Sequence, residues 1–294
     1  MSEVKIDSSD LPGLYQSADQ ASVKAQNTYF RSLSGYLILL IVAILIVFVW
    51  ENNSFGALSS AILFIATLGI LIYIRVQRPD DTWYNGRAVA ESVKTRAWRW
   101  MMRADPYEDT DNMKIVSGQF VNDLKAILNQ NRSLSHSLPC ASGANDPISD
   151  KMKYVRSRSI PERLQIYTDH RIKNQANWYS IKSLQNKRRA SQWFWASVIL
   201  HASAIIMLLF RISDPSLDLP VEVLATSAGA VLTWLQAKKH NELNSAYALA
   251  AHEIVLIKGE ALSIKNEKQL SEFVVNSETA FSREHTQWAA RKGD

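Results

Sequence analysis

Two charge-free stretches near the N-terminus constrain the fold of this chain more than any other feature. Residues 35–50 read GYLILLIVAILIVFVW and residues 57–74 read ALSSAILFIATLGILIYI. At 1.5 Å per residue each helix would reach about 25 Å, close to the hydrocarbon thickness of a bilayer. A buried helical hairpin in a soluble protein is the alternative, but the first stretch has no polar face to turn toward water. We therefore predict a transmembrane hairpin.

A second, weaker hairpin follows in the C-terminal half. Its arms are residues 193–210, WFWASVILHASAIIMLLF, and residues 219–235, which contain VEVLATSAGAVLTWL. Basic residues flank the ends of the spans that lie away from the two short turns: Arg75, Arg78, Lys187, Arg188, Arg189, Lys238 and Lys239. The positive-inside rule then places both termini and the central segment in the cytoplasm. The predicted fold is an all-α membrane protein, with four transmembrane helices as two tandem hairpins and long cytoplasmic helical extensions.

The remaining sequence predicts the helices that flank these hairpins. One helix should run from Tyr15 into the first span, and others should cover residues 83–104, residues 112–129, a long segment after Pro161, and residues 277–292. Residues 131–147 are rich in Ser, Asn, Pro and Gly and indicate a linker. We therefore predict one unit over residues 1–130 and a second over residues 148–294. Each reads as amphipathic helix, span, short turn, span and amphipathic helix, which indicates an internal duplication.

Basic groups beside the spans suggest anion contacts. The net charge of +5 is concentrated next to the apolar runs, which favours a membrane surface over nucleic acid. The candidates for phosphate or lipid-headgroup contact are Arg96, Arg99, Arg103, Lys187, Arg188 and Arg189. For the helix over residues 83–104, a solvated amphipathic helix packed on its neighbours is the alternative. No nucleic-acid-binding motif is visible, so we expect no nucleic-acid partner.

Polar and small residues inside the spans are the candidates for pore lining or helix packing. They are Ser59, Ser60, Thr67, His201, Ala225, Thr226, Ser227, Gly229 and Thr233. Ala225 and Gly229 form a small-xxx-small pair, which lets helices approach closely. His201 could gate by protonation or hydrogen-bond to a neighbouring helix. Because four spans enclose little space, a pore would require a homo-oligomer.

The sequence does not favour an enzyme. Ser282, Glu284 and His285 are close in sequence, but no strained nucleophile turn or oxyanion glycine accompanies them. A single cysteine, Cys140, excludes an internal disulfide and a cysteine-based zinc cluster. We therefore predict no catalytic residue, no metal site and no cofactor.

The segments around both hairpins resemble a known family. LYQSADQASVKAQNTYF and WYNGRAVAESVKTRAWRWMMRADPY flank the first hairpin and resemble the N-terminal type of SLATT domain. RIKNQANWYSIKSLQNKRRASQW and SREHTQWAAR flank the second and resemble another SLATT type. The name denotes two-transmembrane effector domains that accompany nucleotide-synthesising and nucleotide-sensing proteins in bacteria.

This resemblance implies a function that the residues alone do not. It implies a pore-forming or membrane-disrupting effector of a bacterial nucleotide-signal-dependent antiphage or conflict system. Such an effector would act as an oligomer in the bacterial inner membrane. The signal would be a cyclic nucleotide ligand, or it would come through a separate nucleotide-sensing partner. The alternatives are a non-enzymatic membrane scaffold and a regulated ion channel.

Overall fold

The structure is a computed structural model. It describes residues 6–108, 112–139 and 146–290, with side chains described as far as residue 282. Throughout these residues the regular elements are helical, which confirms the all-α prediction for this part of the chain. The α-helices in it are α1 (Gly13–Val49), α2 (Ser54–Gln77), α3 (Pro79–Met101), α4 (Met113–Gln130), α5 (Asp150–Arg156), α6 (Ile160–Tyr167), α7 (Lys173–Ser213), α8 (Val221–Lys238), α9 (His240–Glu260) and α10 (Glu267–Ala290).

Three helical stretches are long and apolar enough to cross a membrane. They are Gly13–Val49, Ser54–Met101 and Ile160–Ser213, and they contain the predicted spans at 35–50, 57–74 and 193–210. Helix α8, which contains most of the predicted fourth span, is not among the three. Its apolar run is shorter and is interrupted by hydroxyl-bearing residues.

The turn of the first hairpin is tight because of a glycine. Asn52 has a φ of 60°, and the side chain of Asn53 caps α2 by accepting a hydrogen bond from the Phe55 N–H at 2.8 Å. A Cβ on Gly56 would lie 2.6 Å from the Cβ of Trp50. A larger residue at this position would therefore push the two arms apart.

The second helix of each hairpin ends in the same way. Arg78 follows α2 with a φ of 44°, and Lys239 follows α8 with a φ of 48°. Their N–H groups donate to the carbonyls of Ile74 and Leu235, both at 3.0 Å. The next helix starts at the following residue, so each left-handed residue redirects the chain without a loop. Helix α8 therefore ends at Lys238, and α9 begins at His240.

The described chain divides into two compact units. The charged unit comprises Met1–Gln26, Asp80–Ile181 and Ala246–Asp294, and the apolar unit comprises Asn27–Pro79 and Lys182–Ser245. Each unit draws segments from both sequence halves. The sequential division into 1–130, 131–147 and 148–294 stays a prediction about the duplication.

The core of the charged unit forms where helices bury one face. In α4, Val116, Phe120 and Leu124 recur at four-residue spacing and are buried. The ring of Phe120 packs 6.0 Å from that of Trp100, which is fully buried. Most of the predicted flanking helices are present, and α10, which begins at Glu267, contains the described part of the segment predicted to be helical from at least residue 277. Helix α5 was not predicted.

Buried arginines close the C-terminal end of α3. Arg156 donates to the carbonyls of Trp100 and Tyr107, and Arg163 donates to the carbonyl of Met102 at 2.7 Å. The last carbonyls of a helix have no partner within the helix and carry partial negative charge. A guanidinium satisfies them and is stabilised by them, which explains why these charges can lie inside the unit.

Candidate functional site

Helix α8 turns the small-xxx-small pair Ala225 and Gly229 outward. Ala225 and Gly229 are exposed, whereas Ala228 and Ala230 are buried. The hydroxyls of Thr226, Ser227 and Thr233 donate to carbonyls of the same helix at 2.8, 2.8 and 2.9 Å. These hydroxyls therefore keep their donors occupied and leave only oxygen lone pairs for another group.

The polar residues of α2 have different surroundings. Ser60 is buried, and its Oγ donates to the carbonyl of Ala43 in α1 at 3.0 Å, which joins the two arms of the hairpin. Thr67 is also buried and donates to the carbonyl of Phe64 in its own helix. Ser59 is half-buried. Within one chain, Ser60 therefore serves helix packing, and pore lining by these residues stays a prediction.

His201 is exposed on the apolar part of α7. Its Nδ1 lies 2.8 Å from the carbonyl oxygen of Ser197, one turn earlier in the same helix. The side chain thus bonds within its own helix in the single chain. An exposed imidazole in an apolar span is costly to leave against lipid, so it marks a surface that a neighbour or water should cover.

Helices α7 and α8 form an antiparallel pair. At one end, Arg211 and Glu222 form an ion pair at 3.2 Å beside the short turn. At the other end, the rings of Trp193 and Trp234 lie 6.2 Å apart. Beyond them, the His240 Nδ1 lies 2.7 Å from the Asn186 side-chain oxygen. The two arms of the second hairpin therefore contact each other from the short turn to the start of α9.

The basic residues in α3 and just after its end contact neighbouring elements of the charged unit. Arg96 pairs with Asp123 of α4 at 3.6 Å, and Arg99 donates to the Thr279 hydroxyl of α10 at 3.2 Å. The Nε of Arg103 donates to the Arg156 carbonyl at 2.9 Å. These contacts match the packed amphipathic helix given as the alternative. Phosphate or headgroup binding by Arg96, Arg99 and Arg103 stays a prediction.

The second basic cluster lies on α7 just before its apolar run. Lys187, Arg188 and Arg189 are all exposed, and of these three Arg189 lines a cavity beside α8. Lys238 lines the same cavity from α8. Sequence reasoning used Lys238 only for topology, because its position near Arg189 depends on how the two helices pair.

Of Ser282, Glu284 and His285 near the C-terminus, the structure describes the side chain of Ser282 only. Ser282 Oγ donates to the Thr279 carbonyl at 3.1 Å. The side chains of Glu284 and His285 lie outside the described residues, as does Cys140. Within the described part of the chain, no group of three or more His, Cys, Asp or Glu is arranged to hold a metal ion.

Comparison with known proteins identifies the family. The profile described as SMODS and SLOG-associating 2TM effector domain 3 matches residues 12–164, and the profile for effector domain 1 of the same series matches residues 167–288. No curated protein and no solved structure matches the chain. The first match alone covers more than half of the sequence, and the two together confirm the resemblance seen at both hairpins. The chain therefore belongs to the SLATT family and carries two SLATT domains in tandem.

Proposed function

We propose that this protein is a non-enzymatic membrane effector of a bacterial nucleotide-signal-dependent antiphage or conflict system. It assembles into a homo-oligomer in the inner membrane and permeabilises that membrane when the signal arrives. The observation that carries this proposal is the outward small-residue face of α8, formed by Ala225 and Gly229. The membership in a family of two-transmembrane effector domains supplies the biological setting.

Helix α8 acts as the fourth span in this proposal. Its apolar run, residues 221–235, gives a length of about 22 Å, which is shorter than the hydrocarbon core of about 30 Å, so the bilayer would have to thin around it. It is more polar than the other spans, and such a helix is more stable in a membrane when protein or water covers its polar side. The exposed Ala225 and Gly229 let the backbone of a second copy come close, so self-association supplies that cover.

The pore, in this proposal, is lined by α8 and α2 of several copies. The candidate lining groups are Ser59, Thr226, Ser227 and Thr233, whose oxygens can accept hydrogen bonds from water. His201 on α7 adds an exposed imidazole. The strongly apolar first span, residues 35–50 of α1, then faces lipid. A regulated ion channel without a lethal role would use the same surfaces.

The orientation and the signal complete the proposal. Both termini and the segment between the hairpins lie in the cytoplasm, because the basic residues cluster at those ends of the spans. The signal is a cyclic nucleotide ligand or a separate nucleotide-sensing partner. The family description supports this, since its domains associate with SMODS and SLOG proteins. No catalysis and no nucleic acid enter the mechanism.

Leakage from liposomes tests the proposal. The purified protein is reconstituted with an encapsulated dye, with and without a panel of cyclic oligonucleotides. Leakage induced by one nucleotide, or constitutive leakage, supports the effector. Tight vesicles from correctly inserted protein contradict permeabilisation and favour the membrane scaffold. Insertion is checked by labelling single cysteines in a Cys140→Ser background, which removes the one native thiol.

A matched pair of variants tests the role of α8. Ala225→Leu fills the small-residue face, whereas Ala61→Leu makes the same change at an exposed position of α2, on the side of the helix away from Ser59. We expect Ala225→Leu to reduce both crosslinked oligomers and leakage, and Ala61→Leu to leave both unchanged. Equal behaviour of the two variants would show that assembly does not use this face.

A further inference from the structure

A cavity of about 440 Å³ opens between α7 and α8 inside the apolar unit. It lies at the end of this helix pair that is away from the short turn. Arg189 lies four positions before the start of the apolar run of residues 193–210, and Lys238 lies three positions after the end of the run of residues 219–235. Its lining residues are Arg189, Gln192, Trp193, Ala196, Trp234, Lys238 and His240. The cavity therefore combines cations with indole rings at the edge of the apolar segments.

The positive charge in this cavity has no carboxylate to balance it. Among the residues that the structure describes, neither Arg189 nor Lys238 forms an ion pair with Asp or Glu. The neighbouring Lys239 does have such a partner, Glu242, at 4.0 Å. The Lys238 ammonium instead lies over the ring of Phe30, 3.3 Å from its centroid. Cation–π contact holds the ammonium in place but does not neutralise it.

The protonation of Lys238 and His240 reflects this imbalance. Burial, and next the positive charge of Arg189, lower the pKa of Lys238 from 10.5 to about 8. Burial, and then Lys238 and Arg189, also lower the pKa of His240 below its usual 6.5. Both directions mean that the empty cavity disfavours positive charge. A bound anion would reverse this effect, because it stabilises the charged form of each base.

The walls of the cavity fit an anion that carries an apolar or planar group. Trp193 and Trp234 are half-buried and face each other across the helix pair, with ring planes 59° apart. Indole rings at a membrane boundary pack on acyl chains or on flat rings, while adjacent guanidinium and ammonium groups bind phosphate oxygens. A hydrogen bond between the His240 Nδ1 and the Asn186 side-chain oxygen holds the imidazole ring at the cavity wall.

We infer that this cavity binds a phosphate ester through Arg189 and Lys238. Two sources share that chemistry: the headgroup of an anionic phospholipid and the phosphate of a free nucleotide. The assignment adds a ligand site that the proposed membrane effector does not itself require. Only the lipid source rests on the four-span arrangement proposed above. Binding is measured without leakage, so failure of the site and failure of the pore can be told apart.

Neighbouring basic residues give matched controls. Arg188 and Arg189 are adjacent, identical in type and both exposed, but only Arg189 lines the cavity. Lys238 and Lys239 are also adjacent and identical in type, but Lys238 is half-buried and lines the cavity, whereas Lys239 is exposed and does not line it. The test variants are Arg189→Gln and Lys238→Gln, and the controls are Arg188→Gln and Lys239→Gln. Lys238→Arg keeps the charge and serves as the conservative variant.

The experiment has two arms on the full chain in nanodiscs. In the first, phosphatidylcholine nanodiscs contain phosphatidylglycerol, and native mass spectrometry counts the phosphatidylglycerol that stays bound. In the second, phosphatidylcholine nanodiscs are titrated with cyclic di-AMP and with inorganic pyrophosphate in a calorimeter. Retention in the first arm alone identifies the lipid source. Binding of cyclic di-AMP in the second arm identifies the free phosphate ester, whereas binding of inorganic pyrophosphate alone, which contains no ester, would overturn the inference.

The inference expects a selective loss of binding. Each test variant should weaken binding roughly tenfold, because one charge-assisted hydrogen bond to an anion is removed. The control variants should bind like the wild-type protein, and Lys238→Arg should keep most of the affinity. Equal losses in Arg188→Gln and Arg189→Gln would overturn the inference, since the attraction would then be general surface charge. Absence of saturable binding of all three probes would also overturn it.

Discussion

We predict that the buried ion pair of Arg171 and Glu278 is essential for the stability of the charged unit. The two side chains are 1% and 0% exposed, and the Arg171 Nη2 lies 2.7 Å from the Glu278 carboxylate. The carboxylate accepts further hydrogen bonds from the Arg171 Nε, the Tyr167 hydroxyl and the Thr95 hydroxyl, at 2.8, 3.0 and 2.9 Å. Burial, and next the Glu278 charge, raise the pKa of Tyr167 well above 10.0, so its phenol stays protonated and keeps donating.

Removing one charge should destabilise the unit strongly. Arg171→Leu leaves a buried carboxylate with only neutral donors, which costs about 3–5 kcal/mol. Thr95→Val removes one hydrogen bond to the carboxylate and should cost about 1.5–3 kcal/mol. The double variant Arg171→Met with Glu278→Leu should lose less than the sum of its two single variants, because neither charge is then left alone.

Hydrogen exchange of α10 in the full chain, held in detergent micelles, measures these losses. Arg171→Leu should speed exchange in α10 by roughly 10²–10⁴-fold, which is the same loss expressed as a ratio. Lys173→Gln is the control, because Lys173 pairs with Asp169 in an exposed i,i+4 ion pair at 2.5 Å, and it should cost less than about 1 kcal/mol. If hydrogen exchange in α10 were as slow in Arg171→Leu as in Lys173→Gln, the buried pair would not stabilise α10. Thr95→Val keeps the idea testable should the larger changes prevent folding.

Two further predictions follow from the packing of α3 and from the cavity. Gly86→Ala should destabilise the charged unit by about 1–3 kcal/mol, because the added Cβ would lie 3.1 Å from the Ala18 carbonyl oxygen. Gly118→Ala is the control, because a Cβ there meets nothing within 4 Å, and it should stabilise α4 by about 0.5–1 kcal/mol. The same exchange measurement checks both variants. A stabilising Gly86→Ala would show that α1 and α3 do not approach so closely. Phosphate-ester binding should weaken about tenfold from pH 7 to 9, because Lys238 loses its proton above its pKa of about 8. Titrations of the probe at several pH values check this, and a profile that is equally steep in Lys238→Gln would assign the proton elsewhere.

The hairpins and their flanking helices could be predicted because their signals are local. The charge-free run of residues 35–50 carries its own length and hydropathy, and the tandem family marks lie in short phrases around it. Helix α1 could be predicted from the helical spacing of alanines and aromatic residues, which continues from Tyr15 into that run. Such properties depend on neighbouring residues alone, so one sequence suffices to recognise them.

Other features depend on residues that meet only after folding. A sequence shows Arg171 as one more charge in a polar helix, yet the fold buries it against Glu278, far away in the chain. Arg189 and Lys238 flank different spans, and only the antiparallel pairing of α7 with α8 puts them on one cavity. The sequence by itself thus determined the helices, the three clear membrane spans and the family. The tertiary structure decided which charges are buried, which are paired and which are left without a carboxylate, because packing sets the distances between charges and their distance from water.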